Sequence, residues 1–245
     1  MSYSWNWQVF LQPSATGEGT YLSWLFEGLK WTVTLSLTAW IIALIVGSII
    51  GVLRTVPNRW LGIIAATYVE IFRNIPLLVQ LFIWYFVLPE LLPGKMGDSF
   101  KQMNPLAQQF LSAMVCLGLF TAARVAEQVR AGINSLPTGQ KNAGLAMGFS
   151  LSQCYRHVLL PMAYRIIVPP LTSEFLNIFK NSAVATTIGL IELSRQAQQL
   201  VDFTAQPYEA FIAVTLLYVM INVTVMYLMR RVEMTVQIPG FVGGK

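Results

Sequence analysis

Between Lys30 and Arg54 the chain carries no charged side chain, and the intervening run, WTVTLSLTAWIIALIVGSIIGVL, is almost wholly apolar. A run of about 20 such residues is long enough to cross the hydrocarbon core of a bilayer as a helix. Inside lipid every backbone N–H and C=O must find its partner within the protein, so only helices and closed barrels can span. The pattern shows no short alternating strands of the kind a barrel needs. Four further stretches continue the theme, at about 61–88, 109–129, 164–190 and 208–229, with Pro169 and Pro170 interrupting the one at 164–190. Composition agrees: 55% of the residues are hydrophobic and 11% are charged, against about 25% charged in an ordinary soluble domain. The expectation is an all-α integral membrane protein with about five transmembrane helices.

Orientation follows from lysine and arginine, which favour cytoplasmic loops. Residues 1–28 hold Glu18 and Glu27 and no Lys or Arg. Arg54 and Arg59 follow the first span, and Arg130, Lys141, Arg156 and Arg165 cluster after the third. Arg195 is offset by Glu192, Asp202 and Glu209 before the fifth span, and Arg230 and Arg231 follow it. Basic loops thus alternate with neutral or acidic ones. This predicts an outer N-terminal arm (1–28), a transmembrane domain (29–229) and a cytoplasmic tail (230–245). The N-terminus has no basic region leading into a short apolar run, so no cleaved signal peptide is expected. Trp5 and Trp7 fit either an interfacial anchor or a solvated coil. Cys116 and Cys154 fall in a span and in the cytoplasmic segment, which argues against a disulfide. No metal-ligand cluster is visible, and the net charge of +5 serves topology; no basic-aromatic tract points to nucleic acid.

One cytoplasmic segment, residues 136–161, is too polar to span and too patterned for a simple loop. Leu136-Pro137 ends a helix, because the residue before proline is pushed out of helical geometry. Gly139 then permits a turn. Helical spacing runs from Asn142 to Met147, and Gly148 permits a tight bend. Ser150 is placed as the N-cap of a second short helix over 151–159, closed by Pro161. A side chain at position 148 is expected to push the two short helices apart. Long ordered connections of this kind are usually functional.

The segment resembles the coupling loop of the membrane subunits of bacterial ABC importers. Their pattern, Glu-Ala-Ala, three residues, Gly, nine residues, Ile-x-Leu-Pro, is matched in spacing by Asn142-Ala143-Gly144, Gly148 and Val158-Leu159-Leu160-Pro161. Asn142 replaces the acid, Gly144 the second Ala and Val158 the Ile. FRNIPLLVQLFIWYFVLP (72–89), AEQVRAGINSLPTGQ (126–140) and FKNSAVATTIGLIEL (179–193) resemble the polar amino acid permeases, glutamate/aspartate type, so the likeness covers nearly the whole chain. It implies a type I ABC importer permease fold with a two-helix cytoplasmic coupling loop. It also implies a multi-pass subunit of a bacterial inner membrane, paired as a heterodimer with a second, similar permease. Two ATPase subunits and a periplasmic solute-binding protein complete the importer that the resemblance implies. This chain then binds no cofactor; ATP and Mg belong to the ATPase, consistent with the lack of a G-x-x-x-x-G-K-[ST] phosphate loop here.

Ionisable residues within spans point to a pathway or to paired structure. Glu70 and Arg73 are three apart on the second span, where an orienting ion pair is the simpler expectation; Arg73 sits about 18 Å along the helix at 1.5 Å per residue. Arg124, Glu127 and Arg130 step by three along the third span, fanning over about 120°, beside the small residues Gly118, Ala122, Ala123, Ala126, Ala131 and Gly132 that allow close helix approach. In the resembled family position 124 is more usually Tyr. The extra cation suits an acidic substrate or else pairs with Glu127. Ser173, Glu174, Asn177, Lys180 and Asn181 share one helix face, either as pathway lining or as interhelix hydrogen-bonding groups. The candidate substrate pathway is therefore Arg73, Arg124, Glu127, Arg130, Glu174, Asn177, Lys180 and Asn181. The candidate ATPase-coupling residues are Asn142, Ala143, Gly144, Gly148, Val158, Leu160 and Pro161. The expected function is a non-catalytic permease forming half of the pathway of an acidic amino acid importer. The alternatives are a stand-alone secondary carrier, a permease for neutral, amide or basic amino acids, and a membrane scaffold or enzyme subunit.

Overall fold

A computed structural model describes residues 3–17 and 19–236; Glu18 and residues 237–245 of the expected tail lie outside that range. The described residues are helical almost throughout. They comprise α1 (Tyr21–Leu53), α2 (Arg59–Asn74), α3 (Leu77–Phe82), α4 (Leu88–Leu91), α5 (Lys95–Lys101), α6 (Pro105–Asn134), α7 (Thr138–Ala146), α8 (Leu151–Cys154), α9 (Leu160–Asn181), α10 (Leu193–Thr204) and α11 (Pro207–Val236). Two compact units are built from them. One takes the chain up to Ala39, Pro76–Leu117 and Asn177–Thr224; the other takes Trp40–Ile75, Gly118–Leu176 and the chain from Val225.

By length and apolarity α1, α6 and α11 can each cross a membrane, and α2 with α3–α4 makes up to a fourth crossing. The expected second span is not continuous. Pro76 has no N–H and forces Ile75 into extended geometry (φ −94, ψ 130), so α2 stops at Asn74. The expected fourth span is the 22-residue α9 followed by a 3-10 helix, Ser182–Ile188. Arg165, Glu174 and Lys180 are spread along α9, and it is not among the helices apolar enough along their length to cross a membrane by composition alone. Its helix runs on through Pro169 and Pro170.

Proline is accommodated twice by the same device. A π-helical turn, Ile83–Val87, precedes Leu88-Pro89, and another, Tyr155–Leu159, precedes Leu160-Pro161. The wider turn takes Leu160 N–H to Tyr155 O, five residues back, and so absorbs the missing donor of the next residue. Pro161 therefore does not close the second short helix, as the sequence implied. That helix runs from α8 through the π turn into α9.

In the unit containing Arg54 and Glu127, a core forms from Ala43, Val125, Val129, Ile133, Tyr155, Leu159, Ala163 and Ile167. A Cβ on Gly47 or Gly51 would lie 2.7 Å from the carbonyl of Ala122 or Ala126, respectively. The small residues of α6 thus do allow α1 to approach at van der Waals distance, the expected role of such residues in lipid-embedded helix pairs.

The other unit overturns the reading of residues 191–207 as a simple loop. Leu193, Gln196, Ala197 and Leu200 are buried along one face of α10, an amphipathic helix with the expected 3.6-residue period. Glu192, read from sequence as an external offset for Arg195, is fully buried and caps α10 by accepting from Arg195 N (3.0 Å). It also accepts from Tyr218 Oη (2.6 Å) and Thr186 Oγ1. Glu209, likewise fully buried, accepts from Asn6 N (2.6 Å) and Tyr3 Oη. These bonds tie the N-terminal arm to the first turn of α11. Trp5 and Trp7 stack at 5.9 Å and remain exposed.

Candidate functional site

Residues 136–161 fold as two short helices around Gly148. The C-terminus of α7 closes by a paired-bond motif: Phe149 N–H donates to Gly144 O (3.1 Å) and Gly148 N–H to Leu145 O (3.0 Å). This arrangement places one left-handed residue just past the helix end, which favours glycine, and Gly148 takes φ +90. Ser150 caps the next helix as the sequence implied, and Gln153 completes a reciprocal capping box. Gly139, expected to make a turn, lies instead in the first turn of α7.

The two glycines of the segment differ in kind. A Cβ at Gly148 would meet nothing within 4 Å, so its requirement is backbone conformation and not space. A Cβ at Gly144 would lie 2.9 Å from Cys154 Sγ, and Cys154 is fully buried. The position at which a side chain separates the two helices is therefore Gly144, and the steric expectation for Gly148 is corrected. Asn142, Ala143, Gly148 and Pro161 are exposed, Val158 and Leu160 half-buried, and Gly144 buried. Tyr155 Oη donates to Thr55 O (2.8 Å), holding the segment to the chain that follows α1.

The charged residues of the spans converge on Glu127. Its Oε2 accepts from Arg130 (Nη2 2.9 Å, Nε 3.0 Å). Its Oε1 accepts from Arg54 and lies 3.4 Å from Arg73 Nη1. Arg73 therefore pairs across helices with Glu127, not along α2 with Glu70. Glu70 instead accepts from Asn74 Nδ2 (3.1 Å). Arg124 does not extend the ladder to Glu127 either. Its guanidinium sits 5.0 Å over the Phe120 ring, and Nη1 lies 3.9 Å from Glu174 Oε2 on α9. Each step of three positions turns the helix face by about −60°, so Arg124 and Arg130 differ by about 120° and aim at different neighbours.

Arg73, Arg124, Glu127, Gln128 and Glu174 line a cavity of about 240 Å³. Four of the eight residues expected in a pathway are thus brought together. Arg130 stands behind Glu127. Asn177, Lys180 and Asn181 belong to the other unit, where Asn181 lines a small apolar recess with Leu35, Leu81 and Cys116. Sequence reasoning missed Arg54 and Gln128. Arg54 follows α1 directly and reads as an orientation-setting loop charge, yet its side chain is only 14% exposed.

Comparison with known proteins places these features. Residues 22–237 match the family described as "Binding-protein-dependent transport system inner membrane component". The chain is 58% identical over its whole length, and over the whole of the relative, to the glutamate/aspartate import permease protein GltJ of Escherichia coli (strain K12). It is 34% identical to the probable glutamine ABC transporter permease protein GlnM of Bacillus subtilis (strain 168), covering 86% of this chain and 94% of that one. Among solved structures it resembles an amino acid ABC transporter crystallised with histidines, with TM-score 0.74 and 29% identity, covering 88% of this chain and 95% of that one. The chain belongs to the family of binding-protein-dependent transport system inner membrane components.

Proposed function

We propose that this chain is the membrane-spanning permease subunit of an ATP-driven importer of acidic amino acids, glutamate and aspartate. In this reading it forms half of the translocation pathway beside a second, similar permease, as a heterodimer. Two ATPase subunits carry ATP and Mg at the cytoplasmic side, where residues 136–161 dock. A periplasmic solute-binding protein delivers substrate to the face that carries the N-terminal arm. The chain itself does no chemistry.

The observation that carries the substrate class is the charge around the cavity. Among the described residues, the ion pairs there set Arg54, Arg73, Arg124 and Arg130 against Glu127 and Glu174, four guanidinium charges to two carboxylates. An anion entering from water loses hydration, and fixed guanidiniums replace it with bidentate hydrogen bonds. The full-length likeness to a glutamate/aspartate permease supports the same sign.

Arg124→Gln tests this. Arg124 is not a partner of Glu127, whose ion pairs with Arg54, Arg73 and Arg130 all remain in that variant, so the complex is expected to assemble normally. Uptake of labelled glutamate and aspartate should fall at least tenfold, about 1.4 kcal/mol at the limiting step, with the binding protein's own affinity unchanged. A well-assembled variant with near-normal uptake of both would remove the substrate role.

A further inference from the structure

The N-terminal arm turns its aromatic rings outward. Val9 is 1% exposed, whereas Trp5 and Trp7 are 56% and 49% exposed. The rings form one patch. Trp5 and Trp7 stack at 5.9 Å with an interplanar angle of 5°, and Trp5 lies 5.8 Å from Tyr208, which is also exposed. Tyr3 stands edge-on to both, at 5.3 Å from Trp5 and 4.5 Å from Tyr208. The patch has a fixed base: Glu209, fully buried, accepts from Asn6 N–H (2.6 Å) and from Tyr3 Oη. Trp5 therefore sits between two residues pinned to the first turn of α11. A contiguous apolar patch held rigidly at a surface marks a place where something other than water is met.

The depth of the patch follows from α11. This helix is long and apolar enough to cross a membrane, and from Ala210 to Met229 it carries no charged side chain. That is about 20 residues, or about 30 Å at 1.5 Å per residue, the thickness of the hydrocarbon core. Glu209 stands immediately outside that stretch at one end, Arg230 at the other. Tyr208 and the arm bound to Glu209 are thus placed at the edge of the hydrocarbon. Just inside the edge, the exposed side chains of Phe211, Ile212 and Leu216 line a largely apolar recess of about 350 Å³ with Pro207, Tyr208 and Thr215.

We infer that Trp5, Trp7 and Tyr208 lie in the headgroup layer of the bilayer and anchor the N-terminal arm there, with the recess below them taking the upper part of a phospholipid acyl chain. An indole or phenol joins an apolar body to one polar N–H or O–H, the combination that collects at membrane–water interfaces. The Glu209 carboxylate tolerates its place at the edge of the hydrocarbon because Asn6 and Tyr3 supply its hydrogen bonds. The arm in this way sets how deep α11 sits, and its aromatic patch is lipid-facing, not a seat for the solute-binding protein. The inference rests on α11 crossing a membrane and is independent of which substrate the chain passes.

Tryptophan emission supplies the test. The complex purified with this chain is placed in nanodiscs of plain phosphatidylcholine, or of phosphatidylcholine brominated either close to the headgroup or near the chain end. Trp5→Phe/Trp7→Phe keeps the apolar ring faces and removes both indoles, so parent minus variant gives the emission of Trp5 and Trp7; the other tryptophans cancel. Should the double variant fail to assemble, Trp5→Phe and Trp7→Phe taken singly give the same difference. Bromine close to the headgroup is expected to lower this emission about twofold. Bromine near the chain end should lower it less, and adding the solute-binding protein should leave it unchanged. Equal emission in plain and brominated lipid overturns the inference, as does stronger quenching from the chain end. An emission that responds to the solute-binding protein and to neither brominated lipid overturns it too, and assigns the patch to that protein instead.

Discussion

Glu127→Gln is expected to leave little of this chain assembled in the membrane. The substitution keeps the shape of the side chain and removes the charge that Arg54, Arg73 and Arg130 share. Arg54 matters most, since its side chain is the least exposed of the three. Stripping one partner from a buried pair costs about 3–5 kcal/mol, a large part of the roughly 5–15 kcal/mol by which a protein is stable. Quantitative immunoblotting of membranes should show the chain reduced several-fold, and the solubilised complex should melt at a lower temperature. Arg54→Gln in the same chain removes the stranded cation and should restore at least half of the parent level. Parent-like accumulation of Glu127→Gln alone would show that Glu127 is not the hub of the charge network.

The second large effect is expected at Gly144. A single Cβ there already meets Cys154 Sγ at 2.9 Å, and valine adds two methyl groups beyond it. Overpacking of this kind costs about 1–3 kcal/mol, and here the strain falls on the contact that sets α7 against the helix beginning at Leu151. Gly144→Val should reduce uptake at least tenfold and abolish stimulation of ATP hydrolysis by loaded binding protein. Cys154→Ala removes the obstructing sulfur and should recover part of both, a coupling that a double-mutant cycle isolates. Gly148→Ala should be milder, since it meets no atom within 4 Å and suffers only its φ of +90, a conformational cost of about 1–2 kcal/mol. If Gly148→Ala proved more damaging to coupling than Gly144→Val, the account of the segment would be wrong.

What could be read from the sequence was what depends on local pattern. The apolar runs announced helices, Ser150 announced a cap, and the spacing from Asn142 to Pro161 announced the segment between them. What could not be read depends on partners far along the chain. Arg54 and Glu127 are 73 residues apart, and nothing local distinguishes Arg54 from a charge that merely sets topology. Glu192 and Glu209 looked like loop acids because their hydroxyl and amide donors come from Thr186, Tyr218 and the N-terminal arm. The pairing of Arg73 with Glu70 rested on spacing along one helix. The structure offers Arg73 a carboxylate on α6 instead. Two signals were present and underused: Pro76 in the second apolar run, which marks the end of α2, and the 3.6-residue pattern of Leu193, Ala197 and Leu200, which marks α10.

The central claim is that this chain passes acidic amino acids through the membrane only when a partner ATPase hydrolyses ATP. It is tested most directly by glutamate accumulation in proteoliposomes that hold the purified importer, with ATP enclosed or omitted and the solute-binding protein added on the opposite side. The account predicts accumulation above the external concentration with ATP, none without it, and no response to an imposed proton gradient. Accumulation driven by the proton gradient in the absence of ATP would contradict it.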